Sequence, residues 1–338
     1  MARSVMIARR LMLFVLAAVS TAGGAWLMSI ILSANGWTVL HVIIEVLFTL
    51  TFGWLMVSFW TGMMGFYVRL RGGDPMSIQQ KVDPTRPLRR KTALVMPIYN
   101  EDTERVLAGI EATLSGLGQF AEREHFELFI LSDTRNAAIA ERESRLMGAL
   151  AIKGCHGVKV HYRRRARNVG RKAGNLEDFV RRWGEAYDHM LVLDADSVMS
   201  GATLVALARM MEQNPEVGLI QTIPMPVNRE TPFARILQFA ARLYGPLMSS
   251  GLSYWAGPEA NYYGHNAIIR LTAFAKHCGL PVLPGRAPLG GEILSHDFVE
   301  AALMGRAGWT LWLAYDLDGT YEEVPSTLLE EMKRDRRW

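Results

Sequence analysis

The fold turns on the stretch His189-Met190-Leu191-Val192-Leu193-Asp194-Ala195-Asp196. Four apolar residues in a row, bounded by polar ones and too short for a helix, read as a buried strand. Its end carries two carboxylates one residue apart. Four further runs resemble it: 93–98, 126–131, 158–162 and 217–222. Between the runs, apolar residues recur at helical spacing over 102–118 (Val106, Leu107, Ile110, Leu114, Leu117), 137–152, 173–187 and 203–213. Strands alternating with helices at this spacing predict an α/β domain with a doubly wound, mostly parallel sheet. Ligands of such sheets lie beyond the carboxyl ends of the strands, so the residues after each run are the candidates for a site.

Those strand ends are acidic. The first reads Pro97-Ile98-Tyr99-Asn100-Glu101-Asp102, the second Ser132-Asp133-Thr134, and the fourth Asp194-Ala195-Asp196. In an extended segment Asp194 and Asp196 point the same way, a spacing suited to Mg²⁺ or Mn²⁺ completed by phosphate oxygens. An ordinary polar turn after a buried strand is the plain alternative. Between the second and fourth runs lies Arg163-Arg164-Arg165-Ala166-Arg167-Asn168-Val169-Gly170-Arg171-Lys172-Ala173-Gly174-Asn175. It follows a strand and opens a helix, where phosphates bind. Lys172 is the expected diphosphate contact. The other arginines are expected to face solvent, acceptor or anionic lipid.

Working outward to the N-terminus, residues 11–33 contain no Asp, Glu, Lys or Arg, and residues 38–68 contain only His41 and Glu45 among Asp, Glu, His, Lys and Arg. A bilayer core needs roughly 20 apolar residues of helix. The five-residue link 33–37 forces a hairpin, and Trp37 suits an interfacial anchor. Arg3, Arg9 and Arg10 before the first span, and Arg69 and Arg71 after the second, predict that both ends are cytosolic. A signal peptide fits the basic start, but the run is too long and a second span follows at once. Glu45 in the span reads as a helix contact, a snorkelling group or a polar partner within a helix bundle. The expected organisation is a transmembrane hairpin over 1–68, a linker over 69–91 and a cytosolic domain over 92–338. Segment 231–255 reads as an amphipathic helix at the membrane surface near an acceptor path, or as a core helix.

The 338 residues are 50% hydrophobic, an excess that the hairpin explains, and carry a net charge of +4. That balance does not point to nucleic acid as a partner. Two cysteines exclude a disulfide scaffold and a cysteine-rich zinc site.

Taken together, Pro97-Ile98-Tyr99-Asn100-Glu101, Asp133, Lys172-Ala173-Gly174-Asn175, Asp194-Ala195-Asp196, Ser295-His296-Asp297 and Arg334-Asp335-Arg336-Arg337-Trp338 resemble the motif series of the processive, membrane-bound family 2 glycosyltransferases. The match runs over about 91–338. Ser-His-Asp stands where the cellulose-synthase pattern has Thr-Glu-Asp, and Arg334 stands where it has Gln. Those departures, with Leu131–Thr134, Arg163–Arg165, Gly264–Arg270 and Ser295–Glu300, look like the glucans biosynthesis glucosyltransferase H family of Gram-negative bacteria.

The resemblance implies a nucleotide-sugar-binding, GT-A-like catalytic domain that polymerises glucose from UDP-glucose, with inversion, into the β-1,2-linked backbone of osmoregulated periplasmic glucans. By the same resemblance Tyr99, Glu101 and Asp133 would hold the uridine, Asp194 and Asp196 the ribose and metal, and Lys172 the diphosphate. Asp297 would be the general base, with His296 tuning it, helping to ligate the metal, or serving structure alone. Arg334 would back a phosphate, Arg337 and Trp338 would meet acceptor and leaving group, and His265 and Asn266 would shape the acceptor pocket. Implied partners are Mg²⁺ or Mn²⁺, the growing glucan, the lipid bilayer of the bacterial inner membrane, a periplasmic glucan-biosynthesis protein and an acyl carrier protein. Family members carry further spans beyond the Arg-x-x-Arg-Trp site, so the chain reads as cut short before them. Competing readings are a non-catalytic membrane-bound UDP-sugar sensor and a single-transfer, lipid-linked sugar transferase.

Overall fold

The computed structural model describes residues 2–286 and 290–335; Arg336, Arg337 and Trp338, two of them expected site residues, lie outside the described residues. In chain order the elements are α1 (Ala2–Ser33), α2 (Val39–Leu70), β1 (Thr92–Ile98), α3 (Thr103–Gly118), β2 (Phe126–Ser132), α4 (Ala137–Lys153), β3 (Lys159–Arg164), α5 (Arg171–Trp183), β4 (His189–Val192), β5 (Val198–Met199) and α6 (Gly201–Gln213). They continue with β6 (Val217–Thr222), β7 (Met225–Pro226), α7 (Pro232–Leu243), α8 (Gly245–Ala256), β8 (Ala267–Arg270), α9 (Leu271–His277), α10 (His296–Arg306), β9 (Thr310–Ala314), β10 (Thr320–Glu322) and α11 (Leu328–Asp335).

The chain forms two compact units. The first comprises residues 1–77 and 242–257. Its α1 and α2 are both long and apolar enough to cross a membrane. Trp60 Nε1 of α2 donates to Ser20 Oγ of α1 at 2.9 Å. Glu45 keeps one carboxylate oxygen buried with no hydrogen-bond partner among the described residues. The amphipathic stretch read from sequence as one helix is two, and α8 belongs to this unit. A side chain at Gly65 would strike the Leu247 carbonyl and one at Gly251 the Thr61 carbonyl, so α2 and α8 cross backbone to backbone. Arg9 pairs with Asp74 at 2.7 Å and donates to the Tyr254 carbonyl, while Arg10 donates to those of Trp255 and Ala256. Cations thus meet the carbonyl end of α8, where the helix dipole favours them.

The second unit comprises residues 78–241 and 258–338. Its main sheet has seven strands in the order β3-β2-β1-β4-β8-β6-β9. Alternation along β1 explains its two-sided burial. Leu94, Met96 and Ile98 face a core shared with α3, α4 and α6, and Ala93 and Val95 face one shared with α5, α9 and α10. Parallel pairing holds for β3, β2, β1 and β4, and for β6 with β9. The sheet is thus mostly parallel, as expected; the exception is β8, a strand that the sequence pattern did not indicate, which pairs antiparallel with both β4 and β6. Its four residues are too few to show a period. A small sheet, β5-β10-β7, stands beside the end of β4.

Candidate active site

The loops after β1 and β2 form one body. Asn100, in a left-handed conformation (φ 59°), donates its N–H to Thr134 Oγ1 at 2.9 Å. Its Oδ1 accepts from the N–H groups of Arg135 and Asn136. Below them Ser132 Oγ and Thr134 Oγ1 donate to the two oxygens of Glu143 at 2.6 and 2.5 Å. Glu143 is buried and gave no signal in the sequence, because its partners come from another element. The Glu101 carboxylate accepts from the Tyr99 N–H. Burial pushes the Glu101 carboxyl up, and the charge of Asp194 adds to the rise. The Tyr99 ring stays open to solvent.

The basic segment differs from expectation in a specific way. Arg165 grips Asp133 with two bonds, Nε to Oδ1 at 2.7 Å and Nη2 to Oδ2 at 2.6 Å. The same guanidinium donates to the carbonyls of Val169, Arg171 and Gly174. Arg163 donates to Asn175 Oδ1 at 2.7 Å and pairs with Asp178 at 3.0 Å. These two arginines are partly buried struts rather than solvent-facing charges: a planar guanidinium can satisfy several carbonyls and a carboxylate at once. Asp133, expected on the uridine, has its carboxylate committed to Arg165. Gly174 is required because a side chain there would strike the Val169 carbonyl.

Lys172, at the start of α5, pairs with Asp194 Oδ1, so the basic segment and the Asp-Ala-Asp triplet meet. The triplet is a turn and not an extended segment: Ser197 N–H donates to the Asp194 carbonyl and Ser197 Oγ accepts from the Asp194 N–H, both at 3.0 Å. His265 Nε2 lies 3.9 Å from Asp194 Oδ2 and 3.3 Å from Glu322 Oε2. Glu322 is a further acid that sequence reading missed; it reaches the site because β10 pairs with β5, just past the triplet. Burial opposes ionisation of Asp194, but Lys172 and His265 outweigh it and hold that carboxyl low. Burial, reinforced by Asp194, pushes Asp196 up. Glu322 is raised by burial and by both aspartates, against the pull of His265 and Arg334. Arg334, on α11, thus lies within electrostatic reach of Asp194 and Glu322.

Asp297, in the first turn of α10, is buried, and its Oδ1 accepts from Phe298 N–H at 3.0 Å. Gly264 passes so close that a side chain there would meet Asp297 Oδ2. Tyr262, whose hydroxyl donates to the Gly264 carbonyl at 2.9 Å, has its pKa driven far up by burial and then by Glu300, Asp194 and Asp297. One tyrosine therefore feels both Asp297 and the triplet. His296 turns to Glu300, with Nδ1 3.2 Å from Oε2, a contact within α10. Asn266, expected to shape the acceptor pocket, is fully buried, with its amide donating to Thr320 Oγ1 at 2.9 Å and its N–H to the Val192 carbonyl at 2.7 Å.

The donor set of Asp194, Asp196 and Glu322 suits a hard divalent cation. Two observations fit one: the aspartates crowd each other electrostatically, and the His265 Nδ1 atom is buried without a partner among the described residues. No three His, Cys, Asp or Glu side chains among the described residues form a ready cage.

Residues 189–338 match the family described as glycosyl transferase family group 2. The chain is 50% identical over 334 residues to a glucans biosynthesis glucosyltransferase H of Cupriavidus pinatubonensis, covering 98% of this chain and 39% of that protein. It is 45% identical over 354 residues to one of Dickeya dadantii, covering 98% and 42% respectively. It therefore spans about two fifths of the length of these curated relatives. Among solved structures, the mannosyltransferase PcManGT of Pyrobaculum calidifontis, in complex with GDP-Man and Mn²⁺, superposes with a TM-score of 0.53 at 16% identity, over 75% of this chain and 62% of that one. At that identity the likeness is one of fold, a GT-A-like arrangement of mixed, mostly parallel sheet. By sequence the chain is similar over nearly its whole length to part of the glucans biosynthesis glucosyltransferase H proteins, and over residues 189–338 to the family group 2 glycosyltransferases.

Proposed function

We propose that the chain carries the donor-binding and catalytic part of an inverting glucosyltransferase. On this reading it polymerises glucose from UDP-glucose into the β-1,2-linked backbone of osmoregulated periplasmic glucans. It would do so in the bacterial inner membrane, with α1 and α2 spanning the bilayer and the second unit on the cytosolic side. The observation that carries the reading is the Lys172–Asp194 pair at the carboxyl edge of the sheet, in a chain half identical to glucosyltransferase H. Its other partners are the growing glucan and the bilayer. Nothing on the described surface singles out the periplasmic glucan-biosynthesis protein or the acyl carrier protein.

The residues divide the work by charge. Transfer with inversion requires an acceptor hydroxyl to attack the anomeric carbon from the face opposite the nucleotide, and to lose its proton there. Asp297 is the base on that side. The departing diphosphate gains negative charge, which Lys172 and Arg334 meet. Mg²⁺ or Mn²⁺ on Asp196 and Asp194, when bound, supplies Lewis-acid stabilisation of the same oxygens. Tyr99 and Glu101 border the uridine. Asp133 acts there through Arg165, which shapes the segment that presents Lys172. Arg337 and Trp338 are assigned to the acceptor and leaving-group end on the motif alone.

Purified protein given UDP-glucose with Mg²⁺ or Mn²⁺ tests the reading by the size of the products. Asp297→Asn is expected to lower turnover by about 10²–10⁴-fold while UDP binding is kept. Near-normal turnover in that variant would remove Asp297 as the base. Binding of UDP-glucose without turnover, unaltered by the substitution, would favour a sensor, and a single added sugar would favour one-step transfer.

A further inference from the structure

Helix α5 opens with two successive left-handed residues, Gly170 (φ 68°) and Arg171 (φ 49°). Arg165 holds the carbonyls of Val169, Arg171 and Gly174 from one side. The first turn of a helix leaves amide N–H groups without intrahelical partners, and together with Lys172 these make an anion-binding end. An acid of the same chain already occupies part of it. Glu292 Oε1 accepts from the Gly170 N–H at 3.0 Å, and Oε2 lies 3.3 Å from Arg171 Nε. A carboxylate spanning a backbone N–H and a guanidinium takes the position that a phosphate oxygen pair takes at such an end.

We propose that Glu292 is an internal competitor for the donor's diphosphate, an autoinhibitory contact that UDP-glucose must displace. The inference rests on the nucleotide-sugar reading given above. Three features support displacement. The pair is accessible, with side-chain exposures of 68% for Arg171 and 39% for Glu292, and exposed ion pairs are weakly held. Glu292 lies on the connection between α9 and α10 and has no place in the core clusters. Its neighbour Gly291 is fixed from the other side, exchanging two hydrogen bonds with Leu283 at 2.9 and 3.0 Å, so release of the carboxylate need not unravel the connection. Glu292 precedes Asp297 by five positions on the run into α10, so the contact lies next to the segment that leads into the base.

Isothermal titration of the full chain in detergent, with UDP and Mg²⁺ and separately with uridine, tests this. Glu292→Gln removes the charge and keeps the size. The expected result is a UDP Kd about three- to fivefold lower than wild type, the worth of one weak ion pair, with uridine affinity unchanged because uridine carries no phosphate. A gain in affinity cannot come from a misfolded variant. Unchanged or weaker UDP binding overturns the proposal, as does an equal gain for uridine. If wild type binds neither UDP nor uridine, the nucleotide-sugar reading falls first and takes this inference with it.

Discussion

The two rims of the seven-stranded sheet treat charge in opposite ways. At the rim where β1 and β4 begin, charges are settled by partners within the fold. Arg90 pairs with Asp188 at 2.6 Å, and Glu212 accepts from the N–H groups of Arg89 and Arg90. Arg270 spends its guanidinium on the carbonyls of Val217, Met211 and Asn214. At the rim where those strands end, Glu101, Asp196 and Glu322 are all pushed up by burial, with neighbouring acids adding to each. Asp194, by contrast, is held low by Lys172 and His265. A fold has no use for crowded, half-buried acids unless something else neutralises them, so the unsettled rim is the working one.

The largest expected effect comes from the strut beneath that rim. Arg165→Met leaves the Asp133 carboxylate buried without its partner, which costs about 3–5 kcal/mol. A thermal melt of the full chain reads the loss directly, and UDP affinity should fall with it because Arg165 also shapes the start of α5. A melt unchanged from wild type would mean that the segment does not depend on Arg165.

Asp196→Asn is expected to cost about 10²–10³-fold in turnover, the scale of losing one electrostatic stabiliser, while raising the melting temperature by relieving repulsion from Asp194. Loss of activity together with lower stability would contradict the view that this rim is strained for function.

His189 tests the quiet rim by pH. It is fully buried, neither ring nitrogen has a hydrogen-bond partner among the described residues, and burial with the nearby Arg270 charge pulls its pKa down to about 3. A base whose folded pKa lies below its unfolded value is neutral in both states above roughly pH 6.5. As pH falls below that value the unfolded chain takes up the proton first, so stability drops by about 1.4 kcal/mol per pH unit down to the folded pKa. Melts between pH 6.5 and 5 should therefore show a loss of about 2 kcal/mol that His189→Leu abolishes. The smallest effect is expected from Asp188→Asn: within about 1 kcal/mol in stability and no change in turnover, since its pair with Arg90 is exposed and remote from the triplet.

What could be read in advance divides along a physical line. The sequence by itself determined what depends on local periodicity and composition. The strands at 93–98, 126–131 and 217–222 follow from short apolar runs, the paired apolar helices from length without charge, and the acidic rim from residues that must follow a buried strand. It could not fix features whose partners lie far along the chain. Arg163 and Arg165 read as surface charges because nothing local says that Asp133, Asp178 and a row of carbonyls wait for them. Glu143 and Glu322 gave no signal because their hydroxyl and imidazole partners come from other elements. The antiparallel β8, too short to show a period, and the turn that closes Asp194 onto Ser197 likewise belong to tertiary structure. Hydrogen bonds and ion pairs act over a few ångströms, and only the folded chain decides which distant residues come within that range.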